Sequence, residues 1–286
     1  MKPLFDKAIL IGVGLIGSSV GLNLVRKGLA REVIGVGRGA SNLREAKSRG
    51  AIHRAVPVKK LSSLLPKATE SDLIILATPV RTVLAQLGFL PRKPLVIDVG
   101  STKATIIQEA TRRRIRFIGT HPIAGMEKSG AKAGDKNLFQ GRICLITPLS
   151  DSRREDVAKV KNLWKALGAK TLFLEAHKHD ELLAMMSHLP HAAAFGLIKA
   201  VSELIPLKSA SSLGLGSLRD MTRVAESSPE MWRDIFLENR THVLRGLDRY
   251  LKALEKLKVA LTQKDSKGLL QFLNKAQAAR RSLSLS

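Results

Sequence analysis

The chain has 286 residues, 44% of them hydrophobic, a single cysteine and a formal net charge of +24. That is apolar material for about two domains with full cores. No apolar run of about 18 residues occurs, which argues against a membrane span, and one cysteine excludes an internal disulfide and any multi-cysteine zinc site. Asp6 and the early glycines break the first apolar run, so no signal peptide is legible and a reducing cytoplasm is the expected location. Residues 1–174 carry 31 Lys and Arg against 12 Asp and Glu, whereas residues 175–286 carry 17 against 12. The basic excess therefore lies on the first part, where it would draw anions in general. Its densest run, Arg112-Arg113-Arg114-Ile115-Arg116, closes a helical stretch, where cations complement the carbonyl end, and a solvated face accounts for it. Aromatic residues make up 4% and none interleave with the basic runs, so nucleic acid is not an expected partner.

The first element is a strand, Lys7–Ile11, running into Gly12-x-Gly14-x-x-Gly17 and then an apolar helical pattern through Val20, Leu22, Leu24 and Val25. Strand, tight turn and helix in that order form a dinucleotide fingerprint. The first glycine allows the turn, the second lets a pyrophosphate approach the backbone, and the third lets helix and strand pack closely. The helix start offers free N–H groups and a positive dipole end to phosphates. Gly12, Gly14, Leu15, Ile16 and Gly17 are therefore candidate cofactor contacts. The helix ends near Gly28, and a second strand, Val33–Gly37, follows. A NAD-binding site often carries Asp or Glu at the end of this strand for the ribose hydroxyls. Here Gly37 stands there, then Arg38 and Ser41. A missing carboxylate removes repulsion against a 2′-phosphate, and Arg38 could pair with one. Both NAD and NADP fit this reading, with NADP mildly favoured.

Ser41-Asn42-Leu43-Arg44-Glu45-Ala46-Lys47 reads as a capped helix. Further strands are expected at Leu73–Ala77, ending in Thr78-Pro79, at Leu95–Gly100, ending in Ser101-Thr102-Lys103, and at Arg116–His121. Strands alternating with helical stretches indicate a parallel sheet with crossover helices. Ligands bind such sheets outside the carboxyl ends of the strands. The glycine turn, Thr78, Pro79, Ser101 and His121 all fall there, so four separate segments point at one crevice. Strands Ile143–Ile146, which holds Cys144 as a buried small hydrophobe, and Thr171–Leu174 flank a helix around Val157–Leu167. From Glu175 strand signals stop. Leu182–Leu204 is helical in period, with a kink expected at Pro190. Trp232–Leu261 and Lys267–Arg281 are helical too. So few loops leave apolar surface uncovered, which suggests a homodimer through these helices.

Among residues able to do chemistry, His121 opens His121-Pro122-Ile123-Ala124-Gly125 at the crevice. An imidazole titrating near neutrality can accept a proton or hold a hydroxyl while a hydride leaves. Ser101 could bond the same hydroxyl or fix the imidazole. Ser187-His188-Leu189-Pro190-His191 sets two histidines three apart. No third ligand accompanies them, so no metal is expected, and anion or carbonyl recognition is the better reading. Arg223 can clamp a carboxylate bidentately or pair with Asp220 at the surface; the spacing leaves both open.

Gly12–Gly17, Ser101-Thr102-Lys103, Gly119-Thr120-His121-Pro122-Ile123-Ala124-Gly125-Met126-Glu127-Lys128-Ser129-Gly130, Ser187–His191, and Arg219–Arg223 through Trp232-Arg233-Asp234-Ile235 together resemble the prephenate/arogenate dehydrogenases of tyrosine biosynthesis. The likeness runs over nearly the whole chain in order and spacing. It implies an α/β fold: a Rossmann-type dinucleotide-binding domain over 1–174 and an all-helical substrate and dimerisation domain over 175–286. It implies NAD(P)-dependent oxidative decarboxylation of a cyclohexadienyl ring acid, prephenate to 4-hydroxyphenylpyruvate or arogenate to tyrosine, made irreversible by loss of carbon dioxide and aromatisation. His121 would accept the hydrogen bond of the ring C4 hydroxyl, with Ser101 in support. Arg223 would bind the ring carboxylate, His191 and Ser187 would lie nearby on the substrate, and Glu127 would sit at the mouth. Two rival readings stand beside this one. Another two-domain NAD(P)-dependent dehydrogenase, of the 3-hydroxyacid or imino-acid type, would lack the histidine block. A non-catalytic NAD(P)-binding regulator would need no proton acceptor at the crevice.

Overall fold

The computed structural model describes residues 3–125, 129–206 and 216–283. Among the described residues eight strands form one sheet: β1 (Phe5–Ile11), β2 (Ala30–Gly37), β3 (Arg54–Pro57), β4 (Leu73–Leu76), β5 (Leu95–Asp98), β6 (Phe117–Pro122), β7 (Ile143–Pro148) and β8 (Lys170–Phe173). Their order is β3-β2-β1-β4-β5-β6-β7-β8. The first six run parallel, with Ile9 of β1 in register with Ile34 of β2 and Ile74 of β4. Helices α1 (Leu15–Arg26), α2 (Ala40–Ser48), α3 (Leu61–Leu64), α4 (Val80–Leu87), α5 (Ala104–Arg112) and α6 (Arg154–Ala166) connect the strands.

The central strands are apolar on both faces because both are covered, as a parallel sheet with crossover helices requires. Leu10, Val33, Ile75, Ile97 and Ile118 pack with Leu24 of α1 and Trp164 of α6 on one side. Ile9, Ile34, Ile74, Val96 and Phe117 pack with Val83 of α4 and Ile106 of α5 on the other. Each such side chain contributes ~1.5–3 kcal/mol by leaving water. The order reverses between β1 and β4, so the carboxyl ends of these two strands flank the crevice where such sheets take ligands.

Two expectations are corrected, and one strand was not read. The sheet is not wholly parallel: β7 runs antiparallel to β6, and β8 runs parallel to β7. The described part of the β6–β7 link holds only a 3₁₀ turn, Ala131–Ala133, and no crossover helix to carry the chain back to the amino edge. β3, a four-residue edge strand with one buried side chain, had no readable pattern. The α2 start has no side-chain cap and begins after Gly39. Ser41 is exposed, and the neighbouring Asn42 amide bridges two loops instead, donating to Val13 O at 2.9 Å and accepting from Ala131 N at 2.6 Å. Cys144 is buried, as expected.

After β8 the described residues are mainly helical: α7 (Ala176–Leu183), a π turn (Ala184–His188), α8 (Leu189–Leu204), α9 (Gly216–Thr222) and α10 (Pro229–Glu238). Pro190 sits in the first turn of α8, where a missing N–H is tolerated. The π turn directly before it absorbs the irregularity expected as a kink. The helical stretch expected over Trp232–Leu261 is two helices, because Asn239 leaves the helical pattern and spends its side chain elsewhere.

Compact units divide after Asn239. The second unit is a pair of helices, α11 (Arg240–Thr262) and α12 (Ser266–Ser282), joined by a turn in which Asp265 caps α12 through Gly268 N at 2.9 Å. Within this pair Leu244, Leu251, Leu254, Leu261, Leu270 and Leu273 are exposed. Among the described residues, no helix is long and apolar enough to cross a membrane.

Candidate active site

The carboxyl edge of the sheet is built from four strand ends. After β1, Gly12 adopts φ +103°, and a Cβ there would lie 2.3 Å from Ala77 O, just beyond β4. A Cβ on Gly17 would lie 2.0 Å from Gly12 O. These two glycines are thus required by the close approach of turn, helix and neighbouring strand. At Gly14 a Cβ would meet nothing within 4 Å. Gly14 is also the residue before α1, whose first turn carries no acidic side chain. The turn is therefore tight on its protein side and open at the helix start, where free N–H groups suit a diphosphate. Leu15 and Ile16 form the half-buried first turn of α1, and Thr78 and Pro79 follow β4 beside Gly12. Arg38 is exposed directly after β2. This arrangement fits a dinucleotide.

Ser101 lies on the turn between β5 and α5, half-buried. The turn is fixed from beneath. Lys103 is fully buried, and its ammonium donates to Asp98 Oδ2 at 2.6 Å, Gly100 O at 2.8 Å and Thr102 O at 2.9 Å. All three of its donors are satisfied by groups that bracket Ser101. Asp98 also accepts from Gly100 N and, across to β6, from Thr120 N. That last bond ties the Ser101 turn to the residue before His121.

His121 is 9% exposed. Its Nδ1 lies 2.9 Å from His179 Nε2 on α7, and His179 Nδ1 lies 2.8 Å from Asp180 Oδ1. So the imidazole is held by a second histidine, where Ser101 had been one candidate. Asp180 accepts in addition from the backbone N–H groups of Lys103 and Ala104, both at 2.8 Å. Burial pushes the His121 pKa well below its ordinary value, helped by His179, Lys103 and His188. The same cause lowers His179, against the pull of Asp180. For Asp180 burial acts upward, but the His179 bond and the two amides win and hold its pKa low. At neutral pH the group is one carboxylate and two neutral imidazoles.

Hydrogen bonds continue from here to His188, and ring contacts through Trp232 go on to His191. Asn239 Nδ2 donates to Asp180 O at 2.7 Å and lies 3.1 Å from His188 Nδ1. His188 is buried, which lowers its pKa to about 4. It packs edge-on to Trp232, and His191 stacks on the same indole at 3.7 Å between ring centres. His191 Nδ1 is bonded to Ser187 O at 2.8 Å, so it is the carbonyl of Ser187 that meets His191. Burial lowers the His191 pKa, and the Arg223 charge acts in the same direction. Arg223 is exposed in the 3₁₀ turn after α9. Asp220, its alternative partner, lies 3.8 Å from Arg219. Glu127 lies outside the described residues. Among the described residues no cluster of metal ligands occurs.

Two residues absent from the sequence reading, His179 and Asp180, thus hold His121. They sit in Ala176-His177-Lys178-His179-Asp180-Glu181, which reads as a solvated helix start. Only the doubled histidine beside an acid hinted otherwise.

Comparison with known proteins agrees with this architecture. Residues 20–173 match the family model for the prephenate dehydrogenase nucleotide-binding domain, and residues 175–275 match that for the prephenate dehydrogenase dimerization domain. A prephenate dehydrogenase of Bacillus subtilis is 30% identical, over 100% of this chain and 78% of its own. A cyclohexadienyl dehydrogenase of Zymomonas mobilis is 35% identical, over 75% of this chain and 76% of its own. The crystal structure of prephenate dehydrogenase from A. aeolicus in complex with hydroxyphenyl propionate and NAD+ superposes with a TM-score of 0.86 at 28% identity, covering 98% of this chain and 99% of that one. With both family models matched in order across the sheet and the helices that follow it, the chain belongs to the prephenate dehydrogenase family.

Proposed function

We propose that the protein catalyses NAD(P)-dependent oxidative decarboxylation of prephenate or arogenate, with residues 1–174 binding the dinucleotide and 175–286 supplying substrate contacts and the dimer interface. The observation that carries this is His121: a buried, neutral imidazole at a strand end on the edge that also holds the open glycine turn. The similarity to a prephenate dehydrogenase and a cyclohexadienyl dehydrogenase supports this reading. The nicotinamide, held through Gly12, Gly14, Leu15, Ile16, Gly17, Thr78 and Pro79, would supply the hydride acceptor. The chain's own work is then to hold the ring and manage one proton. His121 accepts the proton of the C4 hydroxyl through Nε2, and Ser101 supports that hydroxyl from the adjoining turn. Arg223, with His191, holds the carboxylate, and Glu127 belongs at the mouth. The direct test follows reduced-cofactor absorbance with prephenate and arogenate, each crossed with NAD and NADP. No turnover with any combination, in folded protein that binds NAD(P), would favour the regulator reading.

Arg223→Ala should raise KM by about 10- to 100-fold with kcat changed little, the scale of one lost charge-assisted hydrogen bond. An unchanged KM would remove Arg223 from substrate binding.

For the cofactor, Gly37 and Arg38 support a preference for NADP. A Cβ on Gly37 would come 3.4 Å from the Leu43 side chain and 3.5 Å from Val13, ordinary contacts. Gly37→Asp therefore fits without rebuilding β2. It should lower kcat/KM for NADP relative to NAD by about tenfold or more, since a carboxylate placed beside a 2′-phosphate costs at least ~1.4 kcal/mol. Equal effects on both cofactors would place the ribose elsewhere.

A homodimer is supported by the matched dimerization domain and by the exposed leucines of α11 and α12. Sedimentation should give twice the 31.1 kDa chain mass, and a monomer at micromolar concentration would refute it.

A further inference from the structure

We propose that Asp180 and His179 are positioning residues that set the tautomer of His121 and share the proton it accepts, while Asp180 also pins the turn carrying Ser101. The inference rests on His121 being the proton acceptor, and goes beyond it to the groups behind.

The bonding pattern fixes the hydrogens. Asp180 is an ionised carboxylate and can only accept. Its Oδ1 faces His179 Nδ1 at 2.8 Å, so that nitrogen carries the hydrogen. A neutral imidazole carries one, so His179 Nε2 is a bare acceptor. It lies 2.9 Å from His121 Nδ1, which must then be the donor. His121 is left with a bare lone pair on Nε2, and no described residue is bonded there. One carboxylate thus dictates, through two rings, which nitrogen of His121 is basic.

The same chain gives the proton a second place to reside. When Nε2 of His121 takes the hydroxyl proton, the hydrogen on Nδ1 can pass to His179 Nε2. One N–H bond forms as another breaks, and the positive charge moves next to the Asp180 carboxylate. This matters because His121 is buried among groups that disfavour a cation: Lys103 from the α5 start, His188 from the π turn, and His179 itself. The buried Cys144 of β7 lies close but is held neutral, its pKa raised well above the usual value by burial. Asp98 is paired with Lys103. Asp180 is the anion bonded directly into the imidazole chain.

Asp180 has a further role that explains its place. Its two oxygens accept from Lys103 N, just before α5, and from Ala104 N, the first amide of α5. Those amides immediately follow Ser101-Thr102. The carboxylate therefore sets the register between the serine turn and the histidine ring, which lie on different strands.

The experiment uses the full-length protein. In nitrogen-15 spectra with labelled histidine at neutral pH, His121 and His179 should both be Nδ1–H tautomers. His121 found as the Nε2–H tautomer would overturn the proposal outright. Asp180→Asn keeps an oxygen for His179 but removes the charge. It should lower kcat by about 10- to 100-fold and move the acid limb of the kcat/KM profile to lower pH by about one unit, because the shared cation loses its counter-ion. His179→Gln keeps an acceptor for His121 but cannot take a proton, and should lower kcat similarly while erasing the sensitivity to residue 180. Thermal melts identify any variant that fails to fold, in which case the tautomer measurement alone decides. If His121→Asn abolishes turnover while Asp180→Asn leaves both kcat and the acid limb unchanged, the positioning role is wrong and the acceptor role stands. If His121→Asn itself turns over normally, the underlying reading fails first.

Discussion

Replacing His121 by asparagine is expected to lower kcat by about 10²–10⁴ with KM changed little, the range for a lost general base. Asparagine is the informative substitution because its amide can still donate toward His179 Nε2, the bond that the imidazole makes at 2.9 Å. What it removes is the Nε2 lone pair. The wild-type ring is neutral at neutral pH, since burial acts first and three neighbouring groups act with it. The shift favours the form with a bare Nε2, so the rate loss measures the missing lone pair rather than a change in protonation. The acid limb of the pH–rate profile should vanish from the turnover that remains. Steady-state kinetics on each substrate checks this, and near-normal turnover would remove His121 from the mechanism.

Much of this site is legible in the sequence, for physical reasons. The glycine spacing is read directly because Gly12 and Gly17 meet a steric demand of the protein and Gly14 leaves the helix start open. Two of the three would place a Cβ within 2.3 Å of backbone oxygen. The strand ends were legible because buried parallel strands are continuous apolar runs, and the polar residue after each run marks the edge where ligands gather. Thus Thr78, Ser101 and His121 could be assigned to one edge. Contacts between distant segments were not legible. His179 is 58 residues from His121, and no local pattern links them. Asn239 breaks a helix that periodicity alone runs straight through, because its amide is bonded to Asp180 O. The reversal at β7 was hidden for a similar reason: strand periodicity carries no direction. Asp98 did leave a trace, as an acid inside Leu95-Val96-Ile97-Asp98, since a buried carboxylate demands a partner. The partner was five residues on, in a lysine that ordinary expectation sends to the surface.

That pair carries the largest expected effect on stability. Lys103→Met should destabilise the fold by about 3–5 kcal/mol, because it strands a buried charge. Neither Lys103 nor Asp98 is exposed at all. The ammonium is bonded to one carboxylate and two carbonyls, so its loss leaves Asp98 Oδ2, Gly100 O and Thr102 O each short of a donor. Against a total stability of about 5–15 kcal/mol for a typical domain, this is enough to lower the urea midpoint by a large fraction. The double variant Asp98→Asn with Lys103→Met separates two causes. If the cost is the unpaired charge, the double variant should be more stable than Lys103→Met alone, since a neutral amide tolerates burial better. If the cost is the lost bracket on the turn, the double variant should be no better. The second outcome would locate the function of this lysine in shaping the Ser101 turn, where its ammonium joins the carbonyls on either side of the serine. Urea unfolding of the three proteins distinguishes the two, with equal slopes required so that the midpoints report stability alone.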